Sequence, residues 1–151
     1  MESILFSRTS RIADAVSDGL RECSISVAAA LYRMNSARLA AELGQAMRRG
    51  VRVRLLVDQG KYNQDAETRR LLSQHRLPFR LLHGRRGEGS KLHHKFAVLD
   101  GRFVLTGSYN WTTESEEENY ENLVVLNEPE AASRYGEEFE ALWLLGKDEV
   151  S

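Results

Sequence analysis

Between Ser10 and Leu82 the apolar residues switch repeatedly between the spacing of a helix and that of a strand. Helices and strands that alternate this closely each have a face to bury, and a sheet with helices laid on it buries them all. Ile12, Ala15, Val16 and Leu20 recur at helical spacing behind Ser10, which is placed to cap them. Residues 24–32 (SISVAAALY) form a short β-prone run. Residues 37–47 then set Leu39, Leu43 and Met47 on one stripe, which Gly50 ends. Residues 51–58 alternate and then turn wholly apolar, residues 66–74 give another short helix, and residues 78–82 another strand. The order to that point is β-α-β-α-β-α-β, and the fold class expected is α/β. Residues 83–90 (HGRRGEGS) read as a mobile surface loop whose glycines fit neither a P-loop nor a dinucleotide fingerprint. Beyond Lys91 come close-set strands at 92–99, 103–106 and 122–126. Pro129 then opens a last helix with Ala132, Tyr135, Phe139, Leu142, Trp143 and Leu145 on its apolar face. Tyr135 and Trp143 read as core or interface residues.

Composition supports one folded domain over 1–151, since 42% apolar and 28% charged side chains exclude disorder. The 21 basic and 22 acidic side chains nearly cancel, but they are unevenly placed. Residues 1–102 carry 19 basic and 10 acidic groups, and residues 103–151 carry 2 and 12. Only the first part could meet phosphate. The single cysteine, Cys23, excludes an internal disulfide and a cysteine-based zinc cluster, and reads as a small core residue. The opening residues MESILFSR are unlike a secretory signal, and no apolar stretch approaches membrane-spanning length. A soluble protein is expected, or a periplasmic or secreted one had a leader been removed.

Leu99-Asp100-Gly101-Arg102 joins two apolar strands, and Asp-Gly is a strong hairpin signal. With Asp100 and Gly101 as a two-residue loop, Lys95 lies opposite Thr106 and His93 opposite Ser108. A turn shifted by one residue pairs Lys95 with Ser108 and His93 with Asn110. Either way His93, Lys95, Ser108 and Asn110 share a face. An ammonium, a hydroxyl and a carboxamide offer donors to a tetrahedral anion, and an imidazole adds a nucleophile or proton carrier. Phosphate is the natural occupant. Asp100 belongs to the turn and has the opposite parity, which makes it a structural or supporting residue.

The spacing His93-x-Lys95-x4-Asp100-x6-Gly107-Ser108-x-Asn110 resembles the HKD signature of the phospholipase D superfamily. Gly50-Val51-Arg52-Val53-Arg54 and Asn119-Tyr120-Glu121-Asn122 extend the likeness to the small, single-motif branch of bacterial nucleases and mitochondrial cardiolipin hydrolase-like nucleases. The chain departs from the mitochondrial type in having no cysteine-rich insertion and no amino-terminal anchor, which favours the soluble bacterial type. The resemblance implies an α/β/α sandwich with a central mixed sheet flanked by helices. It also implies a metal-independent phosphodiesterase, with no cofactor, acting through a phosphohistidine. His93 would then be the nucleophile or acid/base, and Lys95 and Asn110 would hold the phosphoryl oxygens with Ser108 nearby. Glu121 would orient the histidine and favour its cationic form.

That chemistry needs two histidines, and the chain carries one motif. His94 points to the opposite face, and His75 and His83 stand outside the motif. A homodimer in which His93 of each subunit meets across a two-fold axis supplies the pair. Arg85 and Arg86 are candidates for contact with a phosphate backbone, or are simply solvated. Arg52 and Arg54 alternate along a strand as edge or solvent-facing groups. The acidic run Glu114, Glu116, Glu117 and Glu118 reads as a hydrated loop, but at the rim of the cleft it would repel nucleic acid. Three functions stay open: an endonuclease acting on DNA or RNA, a phospholipase D-type hydrolase of membrane lipid such as cardiolipin, and a silent nucleic-acid-binding member of the fold.

Overall fold

The computed structural model describes residues 3–147. Met1 and Glu2, where the reading against a secretory signal begins, lie outside them. The elements in order are β1 (Ser3–Phe6), α1 (Ile12–Glu22), β2 (Ser26–Leu31), α2 (Ala37–Arg48), β3 (Arg52–Asp58), α3 (Gln59–Gln64), α4 (Ala66–Gln74), β4 (Phe79–Gly84), β5 (Gly87–Lys91), β6 (Lys95–Leu99), β7 (Phe103–Gly107), α5 (Thr113–Glu117), β8 (Asn122–Leu126) and α6 (Pro129–Leu145). One mixed sheet orders the strands β1-β8-β7-β6-β2-β3-β4-β5. β2, β3 and β4, joined by helical crossovers, run parallel; β6 and β7, joined by a tight hairpin, run antiparallel, as do β7 and β8, joined through the short α5.

Each face of the sheet is covered. Val27, Ala29, Leu31, Val53, Leu55, Val57, Ala97 and Leu99 meet Ile12, Val16 and Leu20 of α1, Leu39 and Leu43 of α2, and Leu71 and Leu72 of α4. The alternate residues, among them Ala30, Leu56, Phe96, Val98 and Val104, meet Phe139 and Ala132 of α6. The expected sandwich with a central mixed sheet is therefore what forms. Tyr135 and Trp143 pack onto this second cluster, whereas Leu145, expected on the buried face, is 68% exposed.

Several local expectations are corrected. Ser10 does not cap α1; its N–H is bonded to Phe6 O at 2.9 Å and Arg11 takes the cap position without a side-chain bond. The first turn is capped from elsewhere, by Glu116 Oε1 accepting from Ala13 N–H at 2.9 Å. The acidic run is thus partly a short helix, α5, locked to α1, and not simply a hydrated loop. Residues 83–90 form most of a hairpin: β4 continues to Gly84, whose added Cβ would stand 2.4 Å from Lys91 N, so only glycine permits the strands to close. Arg54 is not solvent-facing but donates to Glu140 of α6 at 3.0 Å.

The Asp-Gly turn forms, with positive φ at Asp100 (57°) and Gly101 (63°) and Arg102 N–H donating to Leu99 O at 3.0 Å. The ladder falls between the two pairings considered above, with Leu99 opposite Phe103, Val98 opposite Val104 and Phe96 opposite Thr106. Arg102 is an extra residue in the loop, and it reverses parity. Thr106 shares the face of Phe96, opposite to that of Lys95.

Candidate active site

The site assembles where β2, β3 and the approach to β6 end together. Leu31 lies opposite Lys95 and Tyr32 N–H donates to His94 O at 2.9 Å, so the chain before β6 is held to β2 although residues 92–94 are not strand. Asp58, at the carboxyl end of β3, is 2% exposed, and its carboxylate accepts from Leu92 N–H and Lys61 N–H, each at 2.9 Å. One buried carboxylate thereby fixes both α3 and the residue preceding His93.

His93 is exposed and His94 points away from it. The His94 ring meets Phe96 edge-on at 5.2 Å and comes within 4.0 Å of Glu138 on α6, while the His93 ring lies 4.6 Å from that of Tyr32 on the other side of the sheet. Lys95 Nζ donates to His93 O at 2.9 Å and stands 3.3 Å from Nδ1 and 3.5 Å from Nε2. Burial holds the His93 pKa below the ordinary histidine value, and the Lys95 and Lys91 ammonium groups push the same way, against a smaller upward pull from Asp58. Burial also lowers the Lys95 pKa, with Glu121 opposing. The imidazole is thus inclined to be neutral near pH 7, with a lone pair to offer beside a cation.

Ser108, Glu121 and Asn110 form a second cluster, linked to Lys95 by the pull of Glu121 on its ammonium. Gly107 is opposite Leu123, and a Cβ on it would stand 2.3 Å from Asn122 O, so the approach of β8 demands glycine. Ser108 Oγ donates to Glu121 Oε1 at 2.6 Å, and Ser115 Oγ and Asn119 Nδ2 donate to Oε2 at 2.8 and 3.2 Å. Within one chain Glu121 is spent on these three donors, and His93 carries a depressed pKa in place of the raised one that an orienting carboxylate would give. Asn110 N–H donates to Ser115 Oγ at 3.3 Å, and its buried Oδ1 has no partner among the described residues. Asp100 stands at the other end of the hairpin, accepting from Ser24, Ile25 and Ser26 N–H groups at 2.8–3.2 Å, in keeping with its structural reading. Arg85 and Arg86 occupy the exposed tip of the β4–β5 hairpin, and it is Lys91 at its base that acts on His93. Among the described residues no three His, Cys, Asp or Glu side chains are grouped to hold a metal. No helix there is long and apolar enough to cross a membrane.

Tyr32, Asp58 and Lys61 were not singled out from the sequence. Their common signal is position: Tyr32 directly follows β2, Asp58 ends β3 and Lys61 lies just beyond it. The carboxyl ends of neighbouring parallel strands are where open α/β sheets form their clefts.

Residues 16–143 match the family described as cardiolipin synthase, PLD-like domain. The chain belongs to the phospholipase D superfamily. It is 33% identical over 113 residues to the human mitochondrial cardiolipin hydrolase, an alignment covering 75% of this chain and 43% of that protein. The chain spans less than half the length of the curated relatives of that name. The crystal structure of Nuc, a phospholipase D family member from Salmonella typhimurium, superposes with a TM-score of 0.89 at 24% identity, over 100% of this chain and 99% of that one. NucT from Helicobacter pylori gives 0.88 at 19% identity, over 99% of each chain. These two likenesses establish a phospholipase D fold over the whole chain.

Proposed function

We propose that the protein is a metal-independent phosphodiesterase that cleaves DNA or RNA internally as a homodimer. The observation that carries this is the neutral-leaning His93 imidazole, open to solvent, with the Lys95 ammonium 3.3 Å from its ring nitrogen. A neutral imidazole is a nucleophile, and an adjacent ammonium stabilises the charge growing on the phosphoryl oxygens during attack. A His93 ring nitrogen forms a bond to phosphorus as the bond to the leaving oxygen breaks. That oxygen takes a proton from the second His93, which starts in its imidazolium form and is left neutral, able to remove a proton from the water that hydrolyses the phosphohistidine. Lys95 and the Asn110 amide hold the phosphoryl oxygens with Ser108 nearby, and Arg85 and Arg86 are candidates for contact with a longer strand.

The two-fold partner is supported by the surface beside Glu121. Tyr120 is 89% and Phe6 54% exposed there, around a concavity that includes Ser7, Arg8 and Asn122. Aromatic side chains left this open suit contact with a second copy. A nucleic-acid substrate is favoured by the excess of basic groups in residues 1–102, and TrmBL2, a structural match described as a DNA-binding archaeal chromatin protein, has the same fold over 54% of its chain at a TM-score of 0.68. Similarity to the mitochondrial cardiolipin hydrolases favours a second reading, phospholipid hydrolysis by the same site.

Wild type and His93→Ala are incubated in EDTA with single-stranded DNA, RNA, duplex DNA and cardiolipin vesicles. Cleavage of nucleic acid by wild type alone is the expected result. Release of lipid headgroups alone transfers the reading to the lipase, and an absolute need for added magnesium removes the mechanism. An active monomer in light scattering removes the dimer.

A further inference from the structure

On the side of α3 and β5 a groove of about 480 Å3 adjoins the histidine, with Tyr32, Lys61, Asn63, Gln64 and Lys91 along its walls. Tyr32 is 8% exposed and serves as a partition between the groove and the site. The His93 ring centroid is 4.6 Å from that of Tyr32, and Lys95 Nζ is 5.2 Å from it. Lys61 Nζ and Lys91 Nζ stand 5.6 and 5.8 Å from the same centroid. Three ammonium groups and an imidazole thus surround one phenol ring.

The cations form no ion pair among the described residues, although Glu121 lends Lys95 some electrostatic support. Among the described residues no carboxylate comes within ion-pair distance of Lys61, Lys91 or Lys95. Two acids line the groove: Asp58, whose oxygens are taken by the Lys61 and Leu92 N–H groups, and the exposed Glu88 on β5. Among the described residues Lys61 donates one side-chain bond, to Gln64 Oε1 at 3.3 Å. Like charges repel one another, and an anion bound among them relieves that repulsion. Lys95 serves the phosphate under attack. Lys61 and Lys91 stand in the groove beside Tyr32, where a second negative group tethered close to the first would meet them.

We infer that Lys61 and Lys91 form a second phosphate subsite, which holds the non-scissile phosphodiester one nucleotide away from the bond cut at His93. This rests on the nucleic-acid reading above. A single strand presents its phosphates at regular intervals, each joined to the next by one sugar, and lysine ammoniums bind them without regard to base. The subsite sets the register of the strand and favours substrates with at least two phosphates.

The test uses a thymidine trinucleotide, which has two phosphodiesters, and two analogues in which one or the other linkage is a neutral methylphosphonate. Wild type is expected to cleave the remaining phosphodiester of one analogue with KM raised roughly tenfold and kcat little changed, as loss of a binding contact requires. Lys61→Gln/Lys91→Gln shows the raised KM on the parent trinucleotide and no further rise on that analogue. Each single glutamine variant carries part of the loss, and Lys61→Arg/Lys91→Arg restores the parent KM. The slope of log KM against log salt falls by about 1 for each lysine removed. Wild type indifferent to both analogues, or a double variant as sensitive to neutralisation as wild type, overturns the subsite. Thymidine 5′-(4-nitrophenyl phosphate), which has one phosphodiester, keeps the two readings apart: wild type that cleaves it yet ignores the methylphosphonates loses the subsite alone, and wild type that cleaves neither it nor the trinucleotide loses the nuclease reading too.

Discussion

The β6–β7 hairpin ends in two charged clusters that are treated in opposite ways. At the turn, the Asp100 carboxylate is consumed by the backbone N–H groups of Ser24, Ile25 and Ser26. At the open end, Lys95 donates to the His93 carbonyl and lies beside the His93 and Tyr32 rings, and among the described residues neither it, Lys91 nor Lys61 has a carboxylate within ion-pair distance. One end spends its charge on holding β2 to the hairpin, and the other leaves its charge unspent for a ligand. Stability and function are thereby separated by the length of one strand, and substitutions at the two ends should have opposite signatures.

The sharpest way to break this contrast is at Lys95. Lys95→Gln keeps the length of the side chain and removes the ammonium beside His93, so kcat/KM should fall by about 10²–10³. Thermal unfolding should barely move, because among the described residues the lost charge has no ion pair. A large drop in melting temperature in place of lost turnover would mean the open end is structural after all.

Asp100 should show the reverse. Asp100→Ala leaves three N–H groups without their acceptor and should cost about 1–3 kcal/mol of stability, with activity per folded molecule nearly intact. Burial raises the Asp100 pKa, and the bonds from Ile25, Ser26 and Ser24 more than offset it, leaving it below the ordinary carboxylate value. A depressed carboxylate stabilises the fold above its unfolded pKa, and that contribution disappears as pH falls through the folded value. Denaturant titrations in acid should therefore show wild type losing stability in that window and Asp100→Asn losing less. Gly107→Ala, at the open end but within the ladder, should cost about 1–3 kcal/mol, because its Cβ meets Asn122 O. Here lost activity would follow from a displaced Ser108.

Much of this was legible from residue order. Period changes locate α1, α2, α4 and the strands over which they pack, because burial on one face leaves a trace every two or every 3.6 residues. α3, by contrast, has no such stripe: Tyr62 is its one buried residue, and the helix exists because Asp58 caps it. β1 is four residues long with alternating exposure, and its partner β8 lies more than a hundred residues away, beyond the reach of local pattern. The HKD spacing placed His93 and Lys95 together correctly, but through a register that was wrong. A loop of three residues and one of two are not distinguished by Asp-Gly, since both put it in the turn, and the anchoring of Asp100 to β2 is a tertiary fact. What survives such an error is the cluster at the amino end of β6, because His93 and Lys95 sit on the same chain two residues apart. Thr106, whose place depended on pairing, does not survive it.

The smallest effect tests the comparison most closely. If the open end carries unspent positive charge, removing part of it at a distance should ease protonation of His93. The His93 pKa is lowered by burial first and then by Lys95 and Lys91. In Lys91→Gln, followed by NMR titration of the imidazole, the His93 pKa should move upward, toward the ordinary value. Folding stability shifts with it: a histidine whose pKa is depressed in the folded state costs stability as pH falls from the unfolded value through the folded one, so the acid loss in that window should shrink in the variant. At neutral pH the exposed Lys91 has no ion pair to lose, and the change in stability should stay within about 0.5 kcal/mol. A titration unchanged by Lys91→Gln would leave burial and Lys95 as the sole causes, and would separate the charge of the groove from the chemistry of the histidine.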